Sequence, residues 1–340
     1  TIGIHDLKKI GDICNKLFNI DRKVAAKNCP EQPSLLRHLS GPGHYAYLKI
    51  SDGCSHLCSF CSIPLIRGPY RSRPVAELVR EAQALEESGI KELILVAQDT
   101  TYYGKDIYNR LRLPGLLKHL IKETSIPWIR IMYSYPSLIN DELLRTMADN
   151  SRICPYLDMP LQHVSKSILK AMKRPRSIKF YEEKIQKIRS FMPDIKLRTT
   201  FIIGFPGETP GNHNELTEFI VSNKFDKIGV FAFSPEEHTP AFKFKPRIPK
   251  LTINKRINDL MKLQQIISRG KLKSFIGKTV TVIIDGASNK KSYKMTGRTV
   301  YDAPEIDGMV YIKNQVPSGV FRKIKIYKTG VYDLYGKYLQ

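Results

Sequence analysis

Cys54, Cys58 and Cys61 stand in the order Cys-x-x-x-Cys-x-x-Cys, so three of the chain's six cysteines crowd into eight positions. Thiolates at these offsets can converge on one metal centre, and three is the informative number: a cube of four irons ligated by three cysteines keeps one iron open. An open iron can chelate a small molecule through an amine and a carboxylate, the groups that S-adenosylmethionine presents. A structural zinc site instead needs four protein ligands, usually as two paired C-x-x-C knuckles. No second pair exists, although His56, Cys154 or His163 offers a fourth donor. A disulfide between two of the three would leave an odd thiol and does not suit a reducing compartment. Cys14, Cys29 and Cys154 read as plain buried or surface thiols.

Something must hold this loop. From Tyr45 to Phe233, short apolar runs alternate with longer stretches of helical period. Strands are expected at 45–51, 92–96, 128–133, 156–159, 196–203 and 227–233, and helices at 74–88, 114–124, 141–150, 165–172 with 178–191, and 209–223. This order requires parallel pairing through right-handed crossovers, hence an α/β barrel or partial barrel. The cysteine loop directly follows the first strand. Polar residues gather where later strands stop: Gln98 and Asp99, Ser134 and Tyr135, Gln162 and His163, 204–208 and 234–237. In parallel barrels the carboxyl ends of the strands carry the ligand site, so these residues are the expected rim.

A further helix is expected over 251–268. Beyond it the pattern turns strand-like at 279–284, 309–312 and 322–327, with turn signals at Asp285-Gly286, Asp307-Gly308 and Pro317-Ser318-Gly319, as in a small all-β barrel. Residues 272–340 hold 12 Lys and Arg against 5 Asp and Glu. The whole chain carries a net charge of +23, which favours encounter with polyanions and suits RNA or a ribonucleoprotein as company. No apolar run approaches the roughly 18 residues of a membrane span, and the N-terminus lacks a secretory pattern. A cytoplasmic protein without a membrane partner is expected. The chain begins at Thr1 rather than Met, and its first forty residues supply one plausible helix, so it reads as a sequence from which an upstream region is missing.

The run Tyr47-Leu48-Lys49-Ile50-Ser51-Asp52-Gly53-Cys54-Ser55-His56-Leu57-Cys58-Ser59-Phe60-Cys61-Ser62-Ile63-Pro64 resembles the radical S-adenosylmethionine methylthiotransferases. Arg67-Gly68 and Arg71-Ser72-Arg73-Pro74 resemble their continuation. Gln98-Asp99-Thr100, Leu161-Gln162-His163, the segment 198–209 and the segment 233–241 are similar to the branch that modifies a ribosomal protein. Gly297-Arg298-Thr299 followed by 301–308, and Tyr332-Asp333-Leu334-Tyr335-Gly336, resemble the TRAM domain of that branch. The resemblance implies four regions: 1–40 a remnant of the N-terminal domain and linker, 41–250 a partial (βα)6 radical SAM barrel, 251–271 a connecting helix, and 272–340 a TRAM-like β-barrel.

It also implies a chemistry: a methylthio group added to the β-carbon of an aspartate in small-ribosomal-subunit protein twelve, through a 5′-deoxyadenosyl radical. The implied cofactors are a [4Fe-4S] cluster on Cys54, Cys58 and Cys61 together with S-adenosylmethionine. A second, auxiliary [4Fe-4S] cluster belongs to the family's N-terminal domain; neither Cys14 nor Cys29 fits its pattern, so full turnover by this polypeptide is in question. The implied partner is ribosomal protein twelve, alone or within the subunit; the basic charge adds RNA contact, the electron donor is unidentified, and a monomer is expected.

Residue by residue, Gln98 and Asp99 are expected near the cofactor's amine or ribose, and Gln162 near its methionyl or adenosine portion. Alternation puts Lys196, Arg198, Thr200 and Ile202 on one strand face, where Arg198, the one catalytic candidate, meets a cofactor or substrate carboxylate or forms a structural ion pair. Gly204 to Gly207 would let the backbone approach a ligand or form a plain strand-to-helix turn, Glu208 joins the expected cofactor-binding set, and Phe60 lines the adenine pocket or shields the cluster. His163 reads as a structural histidine more than a ligand. Two other readings stay open: a tRNA adenosine methylthiotransferase of the same family, and a non-catalytic RNA-binding scaffold with a structural metal.

Overall fold

A computed structural model describes residues 39, 41–174 and 176–339. The remnant expected at 1–40, with Cys14 and Cys29, lies outside the described residues apart from Leu39.

Six parallel strands form the first unit. β1 (Tyr45–Lys49) continues after one residue into the short β2 (Ser51–Asp52), which pairs antiparallel with β3 (Arg71–Ser72). β1 lies beside β4 (Glu92–Val96), and β4 beside β5 (Trp128–Ile131). The second set is β6 (Tyr156–Asp158), β7 (Lys196–Ile203) and β8 (Lys227–Ala232), again parallel. The two three-stranded sheets join where Ile129 bridges Ile153 and the Ser134 amide donates to the Asp158 carbonyl. The result is the expected partial α/β barrel.

The outer strand faces meet the helices. Leu48, Leu93, Leu95, Ile129, Ile131 and Leu197 share one core with the apolar stripes of Val75–Glu87, Leu113–Glu123, Asp141–Ala148 and Ile178–Phe191. β7 alternates as expected, with Leu197, Thr199, Phe201 and Ile203 buried and Lys196, Arg198, Thr200 and Ile202 half-buried on the inner face. The long helix Lys250–Leu272 packs against β8.

The C-terminal unit is a closed barrel in the order β10-β11-β13-β12-β9. β9 is Thr279–Ala287, β10 Met295–Thr299, β11 Val310–Ile312, β12 Phe321–Thr329 and β13 Leu334–Tyr338. Two of these strands escaped the sequence pattern for physical reasons. β10 shows no alternation because both its faces are buried. β13 carries Gly336 at a close approach, where a Cβ would stand 2.3 Å from Ile324 Cγ2.

The segment 300–308 is a plug. It follows β10 and enters the floor of the parallel barrel, where the Val300 carbonyl accepts from Arg130 at 3.0 Å and Glu305 accepts from the Tyr45 hydroxyl at 2.9 Å. Lys227 donates to the Tyr301 carbonyl at 2.9 Å and pairs with Asp302 and, at 3.2 Å, with Asp307. Gly308 is needed because Tyr332 lies against it: a Cβ there would sit 1.9 Å from the Tyr332 carbonyl oxygen. The two segments that resemble the TRAM branch therefore touch each other and seal one end of the first barrel. A cavity of about 420 Å³ remains between the Arg198 and Lys227 side of the barrel, the long helix and this plug. It lies apart from the cysteine loop.

Candidate active site

The cysteine loop spans 53–70 and is pinned at both ends. Its base is the β2–β3 pair, and the Cys54 amide donates to the Gly68 carbonyl at 3.1 Å. Gly53 begins it at φ 69°, where any Cβ would lie 2.2 Å from the Pro69 carbonyl oxygen, so only glycine fits. In the middle, the buried Ser59 donates its hydroxyl to the Ala171 carbonyl at 2.7 Å and its amide to the Met172 carbonyl at 3.2 Å. Its carbonyl accepts from Ala241 at 2.8 Å. Phe60 packs against Ile168, Met172, Phe205 and Ala241.

All three cysteines are free thiols. Burial raises the Cys54 thiol to about 11, with Cys58, Asp99 and Cys61 adding to the rise. Burial also raises Cys58, while the Arg174 guanidinium opposes it. The three sulfurs thus lie within each other's electrostatic reach. Among the described residues no three His, Cys, Asp or Glu side chains converge tightly enough for a single metal ion. Of the donors considered for zinc, His56 is engaged with a carboxylate, while Cys154 and His163 are buried in other surroundings. His56 bonds Asp99 at 2.6 Å, Cys154 is buried beside Arg130 and Glu92, and His163 lies near His213 and Arg256. The donor set fits an iron–sulfur cube, in which each thiolate meets its own iron, better than a tetrahedral ion.

Asp99 has a structural task in the described chain. It caps the short turn Thr100–Tyr102: one carboxylate oxygen accepts from the Thr101 amide and hydroxyl and the Tyr102 amide, and the other from His56 Nε2. His56 in turn stacks on Tyr135, centroids 4.0 Å apart and planes 11° from parallel. Arg174 lies over the Tyr135 ring at 4.5 Å and donates to the Pro160 carbonyl at 3.0 Å. This Asp99–His56–Tyr135–Arg174 brace ties the cysteine loop to three strand ends. In the sequence, His56 and Tyr135 stand out only as a donor within the loop and a polar strand end, and Arg174 carries no signal.

Gly204 and Glu208 are tied into the frame. Glu208 accepts from the Gly204 amide and, at 2.6 Å, from Arg256 of the long helix. A Cβ on Gly204 would meet Ile253 Cδ1 at 2.3 Å, so the glycine admits that helix. Arg198 takes the structural alternative: it pairs with Asp158 at 2.9 Å on the inner barrel face. Gln98 is exposed and Gln162 half-buried, and neither side chain has a hydrogen-bond partner among the described residues. Gln162 holds a left-handed φ of 71°, uncommon for a residue with a Cβ.

His163 is fully buried; its Nδ1 accepts from the Ser165 amide at 3.0 Å and its Nε2 has no partner. Burial, reinforced by His213 and Arg256, lowers its pKa to about 3. The unfolded histidine titrates near 6.5, so between those values the unfolded chain binds a proton that the native chain refuses. Stability from neutral His163 is therefore complete above about pH 6.5 and lost as pH falls towards 3. Replacing His163 with Asn is expected to flatten the fall in urea midpoint between pH 6.5 and 4; an unchanged slope counts against this assignment.

The comparisons with known proteins agree with this architecture. The radical SAM superfamily matches residues 48–220 and the TRAM domain residues 276–339. The chain is 44% identical over 304 residues to the ribosomal protein uS12 methylthiotransferase RimO of Alkaliphilus oremlandii, covering 88% of this chain and 69% of that protein. With the RimO of Caldanaerobacter subterraneus it shares 42% over 343 residues, 99% of this chain and 78% of the relative. Among solved structures, the radical SAM enzyme coproporphyrinogen III oxidase of Escherichia coli superposes with a TM-score of 0.52 at 17% identity, over 69% of this chain and 55% of that one, a likeness of fold alone. A loop of three free thiols at the mouth of a partial parallel barrel, a TRAM barrel plugging its floor and this extent of identity lead to one conclusion: the chain belongs to the ribosomal protein uS12 methylthiotransferase family of radical SAM enzymes.

Proposed function

We propose that this chain adds a methylthio group to the β-carbon of an aspartate in ribosomal protein uS12, in the cytoplasm, using a [4Fe-4S] cluster on Cys54, Cys58 and Cys61 and S-adenosylmethionine. The observation that carries the reading is the trio itself: three free thiols on one braced loop, near enough that Cys58 and Cys61 bear on the ionisation of Cys54. When bound, cluster and S-adenosylmethionine supply a carbon radical able to take hydrogen from an unactivated C–H bond, which no side-chain base can deprotonate.

The chain's own residues bind, orient and exclude. The brace keeps the thiols in register, and Phe60 with its cluster keeps water from beneath them. Gln98 and Gln162, with uncommitted amides at strand ends, supply hydrogen bonds to the cofactor's polar groups. The inner face presents Tyr47, Thr200, Ile202 and Phe231 beside the Arg198–Asp158 pair, an apolar wall with one neutralised charge.

The test is a reaction of air-free protein, carrying about four irons per chain and absorbing broadly at roughly 400 nm, with S-adenosylmethionine, a strong reductant, inorganic sulfide as the source of the transferred sulfur, and uS12. The expected result is 5′-deoxyadenosine and a methylthio mass shift on one aspartate of uS12. A shift on tRNA adenosine alone, which the basic charge would suit, or colourless protein holding one zinc, overturns the proposal.

A further inference from the structure

The cavity of about 420 Å³ at the barrel floor has no part in the chemistry proposed for the cysteine loop. It lies where β7 and β8 begin, whereas the cysteine loop follows the end of β1, so the two stand at opposite ends of the parallel strands. Three parts of the chain wall it: Lys196 and Lys227 from the strands, Met261 and Lys271 from the long helix, and Tyr301 and Ile306 from the plug. Its volume falls within the roughly 300–1,000 Å³ of small-molecule sites.

The carboxylates of these walls are engaged. Asp226 accepts from the Leu197 amide at 3.0 Å through one oxygen and pairs with Lys271 at 2.8 Å through the other. Asp302 and Asp307 both pair with Lys227, and they also accept from the Thr299 hydroxyl and, at 2.8 Å, the Ala303 amide. The ammonium groups have more to give. Among the described residues Lys196 makes no hydrogen bond: its Nζ is 3.9 Å from Asp226 and lies over the Phe275 and Tyr301 rings, 5.8 and 5.1 Å from their centroids. Those rings meet edge to face at 6.0 Å, and such a corner holds an ammonium without consuming its N–H groups. Burial lowers the pKa of Lys271 against the pull of Asp226, with Arg189 and Lys196 adding to the fall. One aspartate thus answers two ammonium groups and the field of a guanidinium. The lip is apolar, with Ile306, Met309 and Tyr332 exposed at 48%, 39% and 39%. Large apolar side chains gathered round an opening mark a surface that a ligand covers.

We infer that the floor cavity binds a small organic anion: one carboxylate or phosphate head accepts from Lys196 and Lys271, and a flat apolar body lies between Tyr301 and the lip. The head goes inward because the unspent donors are on the strand and helix walls, and the body outward because the lip offers apolar surface. Such a ligand touches the parallel barrel, the long helix and the plug at once, so it fastens the small barrel to the large one. The inference stands on this cavity alone and does not depend on the reaction at the cysteine loop.

The experiment is equilibrium dialysis of the full chain against 1-naphthyl phosphate and 1-naphthoate at about 0.15 M salt, where exposed charges are screened beyond roughly 8 Å. Saturable binding of one molecule per chain, with Kd below about 1 mM, is expected for at least one of the two, and the tighter of them names the head that the site takes. 1-Naphthol, which lacks the head, and inorganic phosphate, which lacks the body, should each bind at least about tenfold more weakly. Lys196→Gln should cost at least about tenfold, the size of one hydrogen bond from a charged donor. Lys196→Arg should restore most of that, which separates charge from fold. Saturating S-adenosylmethionine should not displace the probe. The inference is overturned by the lack of saturable binding, or by inorganic phosphate binding as tightly as the naphthyl compounds, which would mean an ion drawn to a chain of net charge +23. Undiminished binding by Lys196→Gln overturns it as well, because one lysine among many would not matter to a diffuse field. So does a Lys196→Arg variant as weak as Lys196→Gln, or displacement by S-adenosylmethionine, which would put the probe at the cysteine loop.

Discussion

Replacing Glu92 with alanine is expected to lower stability by about 3–5 kcal/mol, the cost of breaking a buried ion pair from one side. Glu92 opens β4 at the barrel floor with no exposed surface. One carboxylate oxygen accepts from Arg130 Nε at 2.7 Å and the other from Arg298 Nη1 at 2.6 Å. The two cations differ in what remains to them. Arg298 keeps both its bonds to Asp285, at 2.9 and 3.0 Å, and Asp285 is held by His44 at 2.8 Å. Arg130 keeps only the Val300 carbonyl and the face of Tyr156, 5.0 Å from the ring centroid, and its Nη2 has no partner. Deleting Glu92 therefore strands a wholly buried guanidinium. The measurement is the urea midpoint of each variant. A triple replacement of Glu92, Arg130 and Arg298 by apolar residues of similar volume should recover most of the loss, because the desolvation cost leaves with the charges. If Glu92→Ala falls within about 1 kcal/mol of the parent, the floor is wet and the network belongs with ordinary surface pairs.

That network shows where the sequence stops being legible. Alternation in β7 and the apolar runs of β1 and β4 announce strands because each has one face or two against helices, and periodicity records burial. The cysteine spacing announces its chemistry because ligand offsets are local. Glu92, Arg130 and Arg298 give no such signal. Arg298 stands 206 residues from its partner Glu92, and the pairing exists only once two domains dock. The plug is legible as a pattern but not as a part. Residues 301–308 resemble a branch-specific segment, yet nothing in them says that they close the floor of another barrel. Asp99, Gly204, Glu208 and Arg198 show the converse. Polar groups at strand ends look like a ligand shell, but a rim built from strand ends must first satisfy its own caps and helix contacts. Three of these four side-chain or backbone groups bond His56, Arg256 or Asp158, and the fourth, Gly204, both bonds Glu208 and admits Ile253. Side-chain partners across 40 or more residues are set by docking, which periodicity does not encode.

The second large effect concerns the loop that the brace holds. Cys58→Ser should purify without bound iron, since a serine hydroxyl does not deprotonate to a soft donor and two thiolates are too few for the cube. His56→Phe is the more informative variant. Phenylalanine keeps a ring on Tyr135 and leaves all three cysteines in place, but it cannot donate to Asp99. Asp99 would then lose one of its two tethers, while its cap on Thr101 and Tyr102 survives. Groups one step removed from metal ligands typically contribute 10–100-fold to affinity or activity, and a loss of about that size is expected here in iron retained against a chelator. The readouts are iron and sulfide per chain and the visible absorption, neither of which requires turnover. Arg174 supplies an internal comparison, because Arg174→Met removes the cation beside Cys58 while sparing the His56–Asp99 bond. If the brace acts by geometry, His56→Phe loses iron faster than Arg174→Met. If Arg174→Met is the worse of the two, the cation's field matters more than the tether. If His56→Phe retains iron like the parent, the Ser59 anchors to Ala171, Met172 and Ala241 are enough to order the loop, and the stacked aromatic chain has no part in holding the cluster.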